Sequence, residues 1–454
     1  MLFKIGTQPQ RQFLEMSEKF GKIFSMKVGS QTVVVLNGYQ AVKEALVDKA
    51  QFFSGRPELW IFRRMKDGGG LGTRTYDRVW KKHRTFMLTH FRNFGVGKRS
   101  LEEKILEEAE VLCQAMEATK GKPVNCHHEL QCAVTNVMCN ILFGSRWEYA
   151  DNAFHKLLDL TAEFVSKLNH NLSANYIPFL WHVPYGSVKY LKTAYANQNK
   201  FITEQIVERK SNAEIDDPND FTEALLNESS RKQKLGLPSI FDELEENDMD
   251  TITHLVSEFF RAGADTTNTT LRWTLMFMVS HPEIQKKVHN EIDEVIGRSR
   301  PATIKDRDSL PYTQAAVWEA MRMVAPAPLA LPHSAVKDGK LGDYDIPAHV
   351  YILPNLHSVH MDPTCWENPQ KYDPARFIDP DGKLGVRDAF MPFGTGHRKC
   401  AGEQLARMEL FLFFTFLMQR FRFELPEGAA PLCWDGTLGI TYTPEPFQIC
   451  CLPR

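Results

Sequence analysis

The stretch that most constrains this chain is Phe393–Gly402, which reads F-G-T-G-H-R-K-C-A-G and precedes a predicted helix. Gly394 and Gly396 permit tight turns and a close approach of the backbone to a flat ligand. Cys400 lies where that helix is expected to begin, and the free N–H groups and dipole of a helix N-terminus favour a thiolate. The loop therefore predicts a functional sulfur that a fixed backbone holds in place.

The residues around the loop support this interpretation. Arg398 supplies a nearby cation that can pair with a carboxylate of a cofactor. An apolar stripe at helical spacing follows the cysteine and is expected to pack the helix inward; it consists of Leu405, Met408, Leu412 and Phe416. The simpler alternative is a buried cysteine before a helix, with glycines that serve only the turns. The combination of glycines, arginine and cysteine in so short a stretch argues against it.

This loop resembles the haem-binding loop of the cytochromes P450. In that family the cysteine thiolate is the axial ligand of the haem iron, and Cys400 matches it. Thiolate ligation donates electron density to iron and favours O–O cleavage. The resemblance implies haem b, iron protoporphyrin IX, as the cofactor, with Phe393, Gly394 and Ala262 beside it.

A second motif is E-x-x-R, formed by Glu319 and Arg322 in the run A-V-W-E-A-M-R-M. Residues three apart share a helix face, and the apolar neighbours favour burial of the pair. A buried pair needs further hydrogen bonds to offset its desolvation, and Arg376 in P-A-R-F is the candidate third member. The set resembles the Glu–Arg–Arg network of the cytochromes P450, which is structural and not catalytic.

The long helix predicted from about Asp250 to Ser280 contains A-G-A-D-T-T at Ala262–Thr267. A threonine within a helix can bond to the carbonyl one turn earlier, and Gly263 would let a flat cofactor or O₂ approach. Without the cysteine loop, packing by small residues would be the simpler interpretation. With it, the stretch resembles the oxygen-activation motif of the family. Thr266 matches the hydroxyl that steers protons to O₂, and Asp265 matches the adjacent acid, which is expected to face water.

Several side chains match family residues that bind the haem propionates. Trp80 and Arg84, in R-V-W-K-K-H-R, are four residues apart and therefore share a helix face. An ordinary basic amphipathic helix is an equally simple interpretation of that segment alone. His333, in L-P-H-S, and Arg398 are further matches, although a lone histidine is more often structural.

Charge indicates which partners to expect. Lys plus Arg total 54 and Asp plus Glu total 56, so the chain has no general drive to bind nucleic acid. The basic run Lys81–Arg84, with Arg398 and Lys399, suggests a docking surface for an acidic flavoprotein, and ordinary solvation is the alternative. The resemblance implies NADPH–cytochrome P450 reductase as the partner and leaves cytochrome b5 open as a second one.

The fold class follows from the periodicity of the chain. The N-terminal region predicts strands, with Ser25–Val28 and Val33–Leu36 as a hairpin, and the pattern is largely helical from about Gln40. Strand-like, Pro-rich pieces recur at Pro326–Pro354 and Thr437–Leu452. We predict a mainly α fold with a small β portion, of the P450 type around a buried haem. No linker divides the 454 residues, which predicts one domain over 1–454.

Membrane association depends on the resemblance. No run of about 18 apolar residues is present, so no membrane-spanning helix is expected. The closest likeness is to the animal microsomal branch, whose members begin with an apolar anchor that this sequence lacks. We expect the cytosolic face of the endoplasmic reticulum, or the cytosol if the anchor is absent. Asn175–Tyr185 is the candidate for peripheral membrane contact, and a buried loop is the alternative.

The resemblance implies a haem–thiolate monooxygenase. It would insert one oxygen atom of O₂ into a hydrophobic substrate, such as a xenobiotic, fatty acid or steroid, with electrons from NADPH. The expected substrate pocket consists of Phe259, Ala262, Ala327, Leu329 and Leu438. Three alternatives stay open: a haem–thiolate enzyme that rearranges peroxides, a truncated isoform that binds haem without turnover, and a helical interaction protein without haem.

Overall fold

The computed structural model describes residues 6–64, 70–171, 175, 186–212, 218–236, 238–242, 244 and 247–454. Helices dominate this part of the chain, in agreement with the predicted mainly α class. They are α1 (Pro9–Phe20), α2 (Tyr39–Lys43), α3 (Ala50–Phe53), α4 (Trp60–Arg64), α5 (Arg78–Asn93), α6 (Arg99–Glu117), α7 (His127–Phe143), α8 (Asn152–Asn171), α9 (Gly186–Asn212), α10 (Phe221–Leu235), α11 (Asp248–Ser280), α12 (Pro282–Val295), α13 (Pro311–Val324), α14 (Leu356–His360) and α15 (Glu403–Arg420).

The strands are short and form small sheets. They are β1 (Ile23–Val28), β2 (Gln31–Leu36), β3 (His333–Ser334), β4 (Gly339–Leu341), β5 (Tyr344–Ile346), β6 (Tyr351–Pro354), β7 (Phe421–Glu424), β8 (Thr437–Leu438), β9 (Tyr442–Thr443) and β10 (Cys450–Pro453). The largest sheet has the order β1-β2-β6-β3, in which β2 and β6 are parallel and the other neighbours antiparallel. Two-stranded antiparallel sheets join β4 to β5, β7 to β10 and β8 to β9.

Helix α11 is the central element of the core. Its start is capped by Asn247, whose side chain accepts from the Asp250 N–H at 2.9 Å, and it ends just before Pro282. Side chains on most of its faces are buried, because α7, α9, α13 and α15 pack around it. Helix α15 is buried in the same core, including the whole stripe that the sequence predicts. The two helices that carry the predicted chemistry are therefore held against each other.

The structure agrees with the predicted hairpin and long helices and corrects the N-terminal assignment. Strands β1 and β2 pair antiparallel around Gly29, whose φ is 61°. The prediction of strands alone at the N-terminus is wrong, because α1 precedes them and begins with Pro9 in its first turn. Among the described residues, no helix is long and apolar enough to cross a membrane.

Candidate active site

Cys400 lies between a turn of 3₁₀-helix, Gly396–Arg398, and the start of α15. Its N–H donates to the carbonyl of Phe393 at 2.9 Å, which closes the loop. The side chain is accessible because it borders a cavity of ≈ 160 Å³, yet it lies deep in the molecule. Burial accordingly raises the pKa of the thiol, while the Gly402 N–H and the cations Arg84 and Lys399 oppose that shift.

Arg398 is the first of several half-buried cations near this loop. Its guanidinium donates to the carbonyls of Ser54, Leu71 and Arg74 at 2.9, 3.3 and 2.8 Å. It also stacks over the Trp80 ring, 4.3 Å from the centroid. Burial and the neighbouring Arg84 lower the pKa of Arg398 to about 10. The loop is thereby joined to distant parts of the chain through main-chain oxygens.

Arg56 belongs to the same cluster, and the sequence analysis did not assign it a role. It donates to the carbonyls of Gly72, Leu331 and Pro332 at 2.8, 3.0 and 2.9 Å. Burial, with repulsion from Arg398, lowers its pKa to about 9. No local pattern could have found it, because its partners are distant in sequence and only the fold brings them together.

Trp80 and Arg84 share the predicted helix face on α5. The indole N–H of Trp80 donates to the carbonyl of Leu71 at 2.9 Å, so its polar atom already has a protein partner. Arg84 lies over the Trp80 ring at 5.4 Å and donates to the Lys399 carbonyl at 2.7 Å. Asp77 caps the helix by accepting from the Trp80 N–H at 2.7 Å. Helix α5 is thus fastened directly to the cysteine loop.

His333 is buried in β3, and its Nδ1 lies 2.8 Å from the carbonyl of Phe53. Because a carbonyl only accepts, Nδ1 carries a proton. Burial and the cations Arg56 and Arg398 hold the pKa of His333 well below its usual range. The ring is therefore neutral. His333 adds a polar group near Arg56 and Arg398 but no further positive charge.

These residues fit a flat cofactor with negative groups at its rim. In the described part of the chain, Arg56, Arg84 and Arg398 hydrogen-bond to main-chain carbonyls and to no carboxylate. Gathering half-buried cations without an anion is unfavourable, and desolvation lowers the pKa of all three. Two carboxylates placed among them would remove that penalty, and Arg84 also reaches the loop that carries Cys400. The donor set thus suits a haem with two propionates.

On α11 the hydroxyl of Thr266 donates to the carbonyl of Ala262 at 2.8 Å, as the sequence predicts. Thr270 and Thr274 make the same bond to Thr266 and Thr270. Ala262 itself is exposed although α11 is the central helix of the core.

Two expectations for this motif need correction. Asp265 does not simply face water: its Oδ2 accepts from the Thr441 hydroxyl at 2.7 Å, and burial raises its pKa. Gly263 does not face a ligand. A Cβ built on it would lie 2.3 Å from the sulfur of Met138, so it allows α7 to pack closely on α11.

The Glu–Arg–Arg network is present and buried. Glu319 accepts from Arg322 at 2.7 and 2.8 Å and from Arg376 at 2.8 Å. Arg322 also donates to the His360 and Pro369 carbonyls, which supplies the further hydrogen bonds that burial requires. The network fastens α13 to the segment before the cysteine loop.

A comparison with known proteins identifies the family. The family model described as cytochrome P450 matches residues 1–451. The chain belongs to the cytochrome P450 family. Cytochrome P450 2U1 of Rattus norvegicus is 37% identical over 432 residues, which are 95% of this chain and 80% of that protein. Cytochrome P450 2C23 of Rattus norvegicus is 38% identical over 447 residues, which are 97% of this chain and 88% of that protein. Cytochrome P450 2D14 of Bos taurus is 38% identical over 453 residues, which are 98% of this chain and 89% of that protein.

The resemblance drawn from the Cys400 loop is thereby confirmed. Cytochromes P450 are monooxygenases that use haem, so this P450 is an oxidoreductase of that class, and the fold class is the one predicted. A helical interaction protein without haem is excluded by the same finding.

The residues expected to form the substrate pocket of this P450 lie in different parts of the structure. The Phe259 ring packs between Phe91 and Phe221, with centroids 5.7 and 5.3 Å away, so it is part of the buried core between α5, α10 and α11. Leu329 packs against the cluster formed by α1 and the first sheet. Leu438 is partly buried against the main core, and Ala327 is half-buried. Ala262 is the one exposed member of the expected pocket set.

The basic run expected on the surface of this P450 is smaller than predicted. His83 is buried, with Nε2 3.0 Å from the Ile240 carbonyl, and Arg84 is turned to the cysteine loop. Lys81 and Lys399 remain exposed. Arg92, also exposed, lines the cavity beside Cys400 and was not predicted. The rest of that lining consists of Leu88, Phe91, Val96, Ala401, Glu403, Gln404 and Leu405.

A buried carboxyl also escaped the sequence analysis. Glu409 of α15 accepts from the Thr267 hydroxyl of α11 at 2.9 Å and is almost wholly buried. Burial raises its pKa to about 8. It joins the helix that follows Cys400 to the residue next to Thr266.

Proposed function

We propose that this protein oxidises a hydrophobic organic molecule by inserting one atom of O₂, with electrons from NADPH. The observation that carries the proposal is the placement of Cys400. Cys400 is exposed at the start of α15 and follows Arg398, and Arg84 donates to the carbonyl of the neighbouring Lys399. Among the described residues, Arg56, Arg84 and Arg398 hydrogen-bond to no carboxylate, and the chain belongs to the cytochrome P450 family.

The cofactor would be haem b, and the Cys400 sulfur would bind its iron. Arg56, Arg84 and Arg398 would hold the propionates, and His333 would line the same rim. Phe393, Gly394 and Ala262 would contact the same group. When bound, haem supplies the redox-active iron at which O₂ is activated.

The protein would supply protons through α11. The Thr266 hydroxyl is held by the Ala262 carbonyl and can pass a proton on, because a hydroxyl is both donor and acceptor. Asp265 is the adjacent acid, and its bond to Thr441 fixes where the carboxylate lies. Replacing Thr266 with Ala should divert NADPH oxidation from product to hydrogen peroxide, and unchanged coupling would remove this role.

The electron donor is NADPH–cytochrome P450 reductase, with cytochrome b5 as a second donor. Lys81, Arg92 and Lys399 form the proposed docking surface, since they are exposed cations near Cys400. We place the protein at the cytosolic face of the endoplasmic reticulum membrane. The segment proposed for membrane contact, Asn175–Tyr185, lies outside the described residues except for Asn175.

The decisive experiment is the difference spectrum of the dithionite-reduced protein with and without carbon monoxide, recorded alongside Cys400→Ser. A strongly red-shifted Soret band that is lost or moved in the variant would support thiolate ligation by Cys400. A band typical of a neutral thiol or histidine ligand would contradict an active monooxygenase. Oxygen consumption with NADPH and reductase would then separate a monooxygenase from an enzyme that rearranges peroxides.

A further inference from the structure

Two threonines of the β8–β9 hairpin lead from the protein surface to the acid on α11. The Thr441 hydroxyl donates to Oδ2 of Asp265 at 2.7 Å, and its oxygen lies 3.4 Å from the hydroxyl oxygen of Thr443. Thr441 is buried, Thr443 is half-buried, and Glu445 two residues further on is exposed. The threonines therefore join Asp265 to the outer side of the hairpin.

The direction of these bonds follows from the number of hydrogens. A hydroxyl has one hydrogen, and that of Thr441 points to Asp265. The contact between the two threonines is then a hydrogen bond only if Thr443 is the donor. The chain of bonds thus runs from Thr443 through Thr441 to Asp265, which is the direction in which a proton would reach the carboxylate.

The hairpin is fixed along α11 by further bonds that do not involve Asp265. The indole N–H of Trp273 donates to the Tyr442 carbonyl at 2.7 Å, and the Arg272 guanidinium donates to the Pro444 carbonyl at 3.0 Å. Trp273 and Arg272 are both buried. Because these bonds already attach the strand on either side of Thr443, the hydroxyl chain is not needed to hold the hairpin in place.

Asp265 is suited to take up and release a proton. It is half-buried, and burial raises the pKa of its carboxyl, whereas the hydrogen bond from Thr441 and the charge of Arg272 lower it again. Both protonation states can keep the contact with Thr441, because a hydroxyl both donates and accepts. The contact can therefore persist while a proton moves along it.

We propose that Thr443 and Thr441 form a relay that carries protons from the surface of the β8–β9 hairpin to Asp265. The inference rests on the proposed function, in which Asp265 is the acid beside Thr266, and it names the route that supplies this acid. A hydronium ion at the surface gives a proton to Thr443, Thr443 gives its own to Thr441, and Thr441 gives its own to Asp265. The hydronium ion becomes water, each hydroxyl keeps one hydrogen, and the carboxylate becomes a neutral carboxyl.

The test measures how fast Asp265 gains a proton, because a bond that only attaches the hairpin would not affect this rate. A laser-induced pH jump is applied to the haem-loaded protein at the pH where Asp265 is half protonated. The C=O stretching band of the neutral carboxyl is followed in the infrared and is assigned by its loss in Asp265→Asn. The hydrogen peroxide formed per NADPH, with reductase present, is measured separately.

Four variants separate the relay from the rest of the hairpin. Thr441→Val and Thr443→Val each remove one hydroxyl of the relay, and Thr441→Ser keeps it. The control is Thr437→Val, which removes a hydroxyl from the strand facing Thr443; that hydroxyl donates to Glu445 at 2.7 Å and lies outside the relay. Thermal unfolding of each variant checks that it is folded.

We expect Thr441→Val and Thr443→Val each to slow the protonation of Asp265 about tenfold and to raise the peroxide formed per NADPH, since positioned groups accelerate proton transfer. Thr441→Ser should stay within about twofold of the natural protein, as should Thr437→Val. An unchanged rate in Thr441→Val would overturn the relay. So would a slow rate in Thr441→Val with a normal rate in Thr443→Val, which would leave Thr441 as a positioning residue for Asp265 alone.

These outcomes are separate from the proposed function. A protein with a thiolate-bound haem that consumes NADPH, in which neither valine variant slows the protonation of Asp265, would refute the relay alone. A protein without a thiolate-bound haem would refute the proposed function, and the infrared rate would still report on Thr441 and Thr443.

Discussion

Single residues in the cysteine loop are constrained by neighbours that are distant in sequence. Gly396 has φ +69°, and a Cβ built there would lie 1.7 Å from the carbonyl oxygen of Leu46. Leu46 belongs to a π-helical turn, Glu44–Asp48, that packs against the loop. Gly396 is therefore needed for two reasons, its backbone conformation and the close approach of another main chain.

Replacing Gly396 with Ala should lower the free energy of unfolding by about 3 kcal/mol, from left-handed strain and overpacking together. The matched control is Gly382→Ala, where φ is +77° but nothing lies within 4 Å. That control should lose only about 1 kcal/mol, from the backbone conformation alone. Urea unfolding of both variants measures the difference. Equal losses would show that the contact with Leu46 is unimportant.

Helices α11 and α15 meet through the hydrogen bond between Thr267 and Glu409. The pKa of Glu409 is raised to about 8 by burial, against an ordinary value of 4.5. Between these values the folded protein keeps a proton that the unfolded chain releases. The contribution of the protonated Glu409 to the free energy of unfolding is therefore lost as the pH rises from about 4.5 to 8.

Glu409→Gln keeps an acceptor for Thr267 and removes the titration. The stability of this variant relative to the natural protein should therefore rise between pH 5 and pH 8, by at most about 1.4 kcal/mol per pH unit. Urea unfolding at three pH values tests it. The control is Glu294→Gln on the exposed side of α12, which should give a flat difference. If the stability of Glu409→Gln relative to the natural protein also does not change with pH, the Glu409 carboxyl is ionised in the folded state.

At the scale of the whole molecule, exposed cations lie near the cysteine loop although the chain is nearly neutral. The net charge is −2, yet Lys81, Arg92 and Lys399 are exposed together near the cysteine loop. Local charge of this kind mainly accelerates association with an oppositely charged partner, and salt weakens the effect.

The double variant Lys81→Glu, Arg92→Glu should slow reduction by NADPH–cytochrome P450 reductase about tenfold at low ionic strength, because steering charges act on association. Stopped-flow absorbance measures this, and the difference should shrink in high salt. Reduction by dithionite should be unchanged, since it needs no docking. Lys189→Glu on α9 is the control for added negative charge. An equal effect of that control would argue against a specific surface.

The sequence alone determined the features that depend on local patterns. The Cys400 loop, the E-x-x-R pair and the A-G-A-D-T-T motif could be identified because their residues are close in the chain. Helical periodicity likewise gave α11 and α15 nearly to their ends. That the whole chain is one domain stays a prediction.

Only the tertiary structure decided which side chains meet. Arg56 lies close enough to Arg398 for their charges to repel each other. Thr441 donates a hydrogen bond to Asp265, and Thr267 donates one to Glu409. These residues are far apart in the sequence, so no local pattern could predict that they meet. The fold also turned Phe259 into the core and Gly263 toward Met138, since helix periodicity tells which residues share a face but not what that face contacts.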